Sequence, residues 1–200
     1  MTHDPHAFRS APPREPSFRI STAQLGMLCL LASLAMLFAG SLVAYLLTRS
    51  NNPNWAAVRF GLPWGLVAAT LDLAVISYTF EASLRAVRSN QQTRLLRTLQ
   101  WALAFVVGFL VLQSFNWADV RSLNPDGQSH ILALFSFYML TGLHALHVVG
   151  GVVPLLIVIQ RAKAREYSSS RHEGIRLLAQ YWHFLGVVWL ILVGCLALAR

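Results

Sequence analysis

Three histidines lie in strongly apolar sequence, where a histidine can ligate a metal, ligate haem or relay a proton. His144 and His147 are three residues apart, which puts them on one face of a helix. His183 belongs to the run Tyr181-Trp182-His183, and Trp189 follows six residues later. Asp72 and Glu81 interrupt another apolar stretch. A carboxylate at mid-membrane, such as Asp72, can act as a proton relay or hold a lipid headgroup. It can instead hydrogen-bond to Thr70 or Ser77 and lock helix packing. Glu81 is placed to pair with Arg85 one turn later.

Ligation by His144, His147 and His183 meets two obstacles. Residues three apart on one helix cannot supply both axial ligands of one haem, which approach from opposite sides of the ring. His183 lies about six residues, or ~9 Å, from one end of its helix, whereas His147 lies about 13 residues, or ~20 Å, from the same face. No cysteine or clearly placed carboxylate completes a metal site. The other reading is hydrogen bonding between helices, or to a partner subunit. A haem- or metal-binding membrane enzyme in its own right stands as the rival, and it predicts a cofactor that stays with the isolated chain. No Gly-rich phosphate loop, nucleophile elbow or zinc-ligand spacing occurs.

The elements that carry these residues are membrane helices. Of the 200 residues 56% are apolar and only 12% charged, about half the charge of an ordinary soluble domain. No charged residue falls between Arg19 and Arg49, Arg97 and Asp119, Asp126 and Arg161, or Arg176 and Arg200. Each gap matches or exceeds the ~20 residues needed to cross a bilayer. With the stretch around Asp72 and Glu81, the chain reads as all-α, a bundle of five transmembrane helices near 21–48, 62–84, 97–117, 131–160 and 177–199. The runs are apolar on every side and rich in Leu and Ala, unlike the alternating strands of a barrel. Pro63 suits the start of the second helix, and Pro154 predicts a bend in the fourth.

Basic residues set the orientation. The segments holding Arg9, Arg14 and Arg19, then Arg85, Arg88, Arg94 and Arg97, then Arg161, Lys163, Arg165, Arg171 and Arg176 carry 12 of the 16. The opposite face has Arg49, Arg59, Arg121 and Arg200. The positive-inside rule places the N-terminus in the cytoplasm and the C-terminus outside. The formal charge of +8 then serves topology and anionic lipid rather than nucleic acid, for which no soluble basic module exists. Residues 1–20 hold four prolines and read as a disordered cytoplasmic tail. The apolar stretch after them is too long for a cleaved signal core. Cys29 and Cys195 fall toward opposite faces and read as small buried hydrophobes, not a disulfide. The tryptophans at 55, 64, 101, 117, 182 and 189 fall mostly near helix ends, where interfacial anchoring accounts for them. Neither a repeat nor the paired broken helices of many transporters is present.

Two segments carry a resemblance. Leu140 to Gly151 contains Thr141-Gly142-Leu143-His144-Ala145-Leu146-His147-Val148, which resembles the T-G-x-H-x-x-H-V signature of cytochrome oxidase subunit III. Tyr181-Trp182-His183-Phe184-Leu185-Gly186-Val187-Val188-Trp189-Leu190 is similar to the family's Y-W-H-F-x-D-V-V-W-L. Arg171 to Gln180 stands where the family places a short loop before its last helix. Phe38-Ala39-Gly40 and Ala44 to Arg49 are similar to the first helix of the short, five-helix bacterial members. The resemblance spans about 21–199.

It implies an accessory subunit of a haem–copper terminal oxidase in a bacterial inner membrane, within a proton-pumping complex that reduces oxygen to water. Such a subunit packs against catalytic subunit I alongside subunit II, binds phospholipid in a cleft, and supports proton uptake and durability. It carries no redox centre, because haem and copper belong to its partners. His144, His147, Trp182, His183, Asp72 and Trp189 then become candidates for helix packing or for subunit and lipid contact. An accessory protein of a nitric oxide reductase is the nearest alternative. Three family acids are missing: Leu34 follows Ser33 in place of a glutamate, Gly186 replaces the aspartate, and Arg176 replaces a glutamate. Asp72 is a candidate relocated carboxylate, expected near Leu34 on a neighbouring helix.

Overall fold

The computed structural model describes residues 21–53, 64–123 and 131–198. The tail at 1–20, Trp55 and Pro63 lie outside these described residues. Among the described residues five α-helices run in order: α1 (Thr22–Ser50), α2 (Trp64–Arg88), α3 (Gln92–Leu123), α4 (Ile131–Lys163) and α5 (Glu173–Leu198). Each is long and apolar enough to span a membrane.

The helices outrun the uncharged stretches. α3 begins five residues before Arg97 and ends beyond Arg121, because a charge gap marks hydrocarbon depth and not the end of backbone pairing. α4 continues unbroken through Pro154. α2 and α4 both stop on a non-glycine residue in the left-handed region, Asn90 (φ 52°) and Arg165 (φ 56°). The next N–H turns back to a free carbonyl: Gln91 to Ala86 at 2.9 Å and Glu166 to Arg161 at 3.1 Å.

α2 and α3 form the most extensive helix pair. The buried residues of α3 explain it: Leu95, Leu99, Ala102, Val106, Phe109, Gln113, Asn116 and Val120 recur at alternating intervals of four and three. In α2 the set Leu66, Ala69, Leu73, Ile76, Phe80, Ser83 and Val87 does the same. That spacing keeps one seam facing its neighbour along a left-handed supercoil. α5 closes on α2, α4 closes on α3, and α4 meets α5, so these four make the bundle. α1 lies over the α4–α5 pair.

Polar contacts tie one end of the bundle together. Gln92 Nε2 donates to the Tyr167 carbonyl at 2.6 Å, and Asn90 Oδ1 accepts from the Ser169 backbone at 2.9 Å. Ser21 Oγ donates to Glu173, while an Arg176 Nη donates to Gln24 Oε1 at 3.2 Å. The start of α1 is thereby clasped to the start of α5.

Candidate functional site

α2 and α5 run antiparallel along a seam with three rungs. Trp189 Nε1 donates to Thr70 Oγ1 at 3.1 Å. Gly186 faces Ser77, whose Oγ would lie 3.7 Å from a Cβ at that glycine. His183 Nε2 lies 3.1 Å from Glu81 Oε1. Glu81 therefore pairs with a histidine on another helix, which corrects its expected pairing with Arg85. Arg85 instead covers the Tyr78 ring, 5.6 Å from its centroid. The physical reason is the seam: it brings His183 to Glu81 across two helices, and leaves Arg85 nearer the helix end.

Trp182 and Trp189 are 1% and 0% exposed. Both are core residues, which corrects their reading as interfacial anchors. Trp182 stacks on Phe80 at 5.6 Å and 15°. Trp64, 88% exposed, and Trp101, 56%, stand on the surface as anchors do. Trp117 is partly buried and donates to Thr141 Oγ1 at 3.0 Å.

His144 is fully buried among Phe109 of α3, Trp189 of α5 and Phe38 of α1, with ring centroids 5.6, 5.0 and 6.3 Å away. Its Nε2 lies 3.1 Å from the Leu185 carbonyl. A carbonyl only accepts, so Nε2 carries the hydrogen and joins α4 to α5. His147 turns back on its own helix, with Nδ1 2.7 Å from the Leu143 carbonyl. The His147 carbonyl accepts the Tyr181 hydroxyl at 2.8 Å. The three histidines thus have separate partners and do not converge. Among the described residues no three ligand-type side chains are arranged to hold a metal ion.

Asp72 bonds to neither Thr70 nor Ser77. Thr70 Oγ1 donates to the Leu66 carbonyl at 2.8 Å, and Asp72 Oδ2 is buried without a partner. Its carboxylate lies against α3, 3.9 Å from where a Cβ on Gly108 would be. α1 packs on α4 and α5, so Leu34 sits in the core and not beside Asp72. Gly186 faces Ser77, about 140° around α2 from Asp72 at 100° per residue. The structure therefore sets Asp72 beside neither Leu34 nor Gly186.

Two grooves flank α1. One, about 520 Å³, runs between the first half of α1, the second half of α4 and the start of α5, with His147, Arg161, Tyr167 and Tyr181 in its wall. The other, about 620 Å³, lies between the second half of α1 and the start of α4, and is lined by Met36, Tyr45, Phe135 and Met139 among others.

Residues 18–197 match the family model for cytochrome c oxidase subunit III. This chain belongs to the cytochrome c oxidase subunit III family. Subunit 3 of Thermostichus vulcanus is 32% identical over 181 residues, covering 88% of this chain and 85% of its own length. That of a Synechocystis species is 29% identical over 170 residues, covering 84% and 71%. The Corynebacterium diphtheriae subunit 3 is 26% identical over 177 residues, covering 86% and 85%. The chain is accordingly a multi-pass membrane subunit of a respiratory terminal oxidase, in the five-helix form of its cyanobacterial and actinobacterial relatives. Members of the family generally lack redox centres.

Within subunit III the two signature segments are the α4–α5 core. Thr141 receives Trp117 from α3, His144 reaches Leu185, and Gly151 leaves the space that Tyr181 and Trp182 fill. Arg176 clasps α1 through Gln24. Cys29 is exposed and not buried, since it lies on the outer side of a helix that packs along one stripe only. Sequence reasoning missed Gln113 and Asn116, each 1% exposed in the α3 seam. Two amides three residues apart in an apolar stretch were the available signal.

Proposed function

We propose that this chain is the non-catalytic subunit III of a bacterial haem–copper oxidase, packed against subunit I in a complex with subunit II. One observation carries the reading: the rings of His144, His147 and His183 bond to Leu185, Leu143 and Glu81 of this same chain, the Trp189 indole bonds to Thr70, and the Trp182 ring stacks on Phe80. A redox site needs ligands that converge, and these do not. The subunit acts by stabilising the catalytic subunit and supporting proton uptake, and electrons and oxygen are handled by the partners.

The N-terminus lies on the cytoplasmic face of the cell membrane. In support, the basic segments 85–97 and 161–176 meet at one end of the bundle, through Asn90 with Ser169 and Gln92 with Tyr167. Phospholipid occupies the α1 groove that holds Arg161. An apolar trough with a guanidinium at one end matches an acyl chain and an anionic headgroup.

Deleting this chain from its native oxidase is the test. The remaining complex is expected to keep its haem spectrum and initial oxygen reduction, and to lose activity sooner during turnover. Loss of haem absorbance with this chain would overturn the reading.

A further inference from the structure

Two side-chain nitrogens in the core, Gln113 Nε2 on α3 and His144 Nδ1 on α4, are buried without a hydrogen-bond partner among the described residues. Both residues are closed off, at 1% and 0% exposed. Their needs are complementary. His144 Nε2 carries the ring hydrogen, because the Leu185 carbonyl that it meets at 3.1 Å only accepts. In the neutral ring Nδ1 is then an acceptor without a donor. The Gln113 amide turns Oε1 toward Asn116 Nδ2 at 3.5 Å, which leaves Nε2 as a donor without an acceptor.

Contacts on either side bring the two residues level. Phe109 of α3 packs edge-on to the His144 ring, with centroids 5.6 Å apart. Trp117 of α3 donates to Thr141 Oγ1 of α4 at 3.0 Å. Gln113 stands one turn from Phe109 and one turn from Trp117, about 40° around the helix from each, and His144 stands one turn from Thr141. Other unpartnered core groups lie elsewhere. Asp72 Oδ2 belongs to a carboxylate beside Gly108, about 140° around α3 from Gln113. The Trp182 indole lies beside Gly151, two turns further along α4 than His144.

Buried polar groups are nearly always satisfied, and these two do not bond to each other. Water both accepts and donates, and a buried water needs two to four polar partners. Thr141 supplies the third. Its Oγ1 donates to the Phe137 carbonyl at 2.7 Å and accepts from Trp117, so one lone pair remains.

We propose that one water molecule is bound between α3 and α4, accepting from Gln113 Nε2 and donating to His144 Nδ1 and Thr141 Oγ1. The chain Gln113, water, His144 and Leu185 then runs through α3, α4 and α5. It gives His144 a purpose that a purely apolar ring could not serve: a donor on one side and an acceptor on the other.

Electron cryomicroscopy of the intact oxidase that carries this chain, at a resolution that shows ordered water, tests the site. A peak within about 2.7–3.2 Å of both Gln113 Nε2 and His144 Nδ1 is expected. No peak, or direct contact between the two side chains, overturns the proposal. So does a peak that persists in Gln113→Leu.

Melting of the purified chain in detergent gives a second reading. Gln113→Leu is expected to lower the unfolding temperature by roughly 2–6 °C. In a His144→Phe background, where the acceptor is already gone, the same change is expected to have at most about half that effect. Equal effects in the two backgrounds overturn the proposal, because the residues would then share no site.

Discussion

The Trp189 indole on α5 reaches across the bundle to the Thr70 hydroxyl on α2, at 3.1 Å. Thr70 in turn donates to the Leu66 carbonyl at 2.8 Å. The hydroxyl is thus oriented by its own helix before it accepts, and the indole lies edge-on to Phe109 of α3 at 5.1 Å. One side chain joins three helices.

Trp189→Phe keeps most of the ring and loses the hydrogen bond, so a destabilisation of about 0.5–1.5 kcal/mol is expected. Trp189→Ala also leaves a cavity and should cost about 3–5 kcal/mol. Thermal unfolding of the purified chain in detergent measures both. Equal effects would show that the hydrogen bond, and not the packing, dominates.

The glycines divide into filled and open positions. A Cβ at Gly65 would lie 1.7 Å from Asn116 Oδ1, and one at Gly151 would lie 2.7 Å from the Tyr181 ring. At Gly40 and Gly150 nothing is within 4 Å. Gly65→Ala and Gly151→Ala are expected to destabilise by about 1–3 kcal/mol through overpacking. Gly40→Ala and Gly150→Ala should be neutral or slightly stabilising, because alanine favours helix. The same melting experiment separates the pairs.

His144 and His147 differ in kind. Removing the buried ring in His144→Ala empties a site bounded by three helices and leaves the α4–α5 link unmade. A loss of about 2–4 kcal/mol follows by analogy with large-to-small core changes. His147→Gln retains a side chain able to hydrogen-bond and should change stability by less than about 1 kcal/mol. Comparable losses for the two would contradict their different burial.

Asp72 presents the reverse sign. Its buried Oδ2 has no partner, so Asp72→Leu is expected to stabilise the isolated chain by about 1–3 kcal/mol, the cost of an unsatisfied buried polar group. A clear destabilisation would reveal a partner that the isolated chain already provides. In the assembled oxidase, unchanged proton uptake in Asp72→Asn would remove Asp72 from any role in that process.

Most of the fold was legible because bilayer thickness writes itself into the spacing of charges. Arg97 and Asp119 bound the apolar part of α3, yet the helix extends past both. The faces were harder. Runs that are apolar all round give no stripe to read, so Trp182 and Trp189 passed for interface anchors when they are core. The four-three rhythm of buried residues in α2 and α3, which in α3 includes Gln113 and Asn116, carries the orientation. The partner of Glu81 was illegible for the same reason: Arg85 is near in sequence, but His183 is near in space. The signature residues were found by resemblance, and their work as helix contacts emerged from the geometry.

The most direct test of the central claim is purification through a tag on this chain in mild detergent, with a reduced-minus-oxidised spectrum taken before and after the chain is stripped free. Haem and copper should arrive with larger subunits and remain with them when this chain leaves. A haem spectrum that stays with the isolated chain would contradict the account and make His144, His147 and His183 ligands.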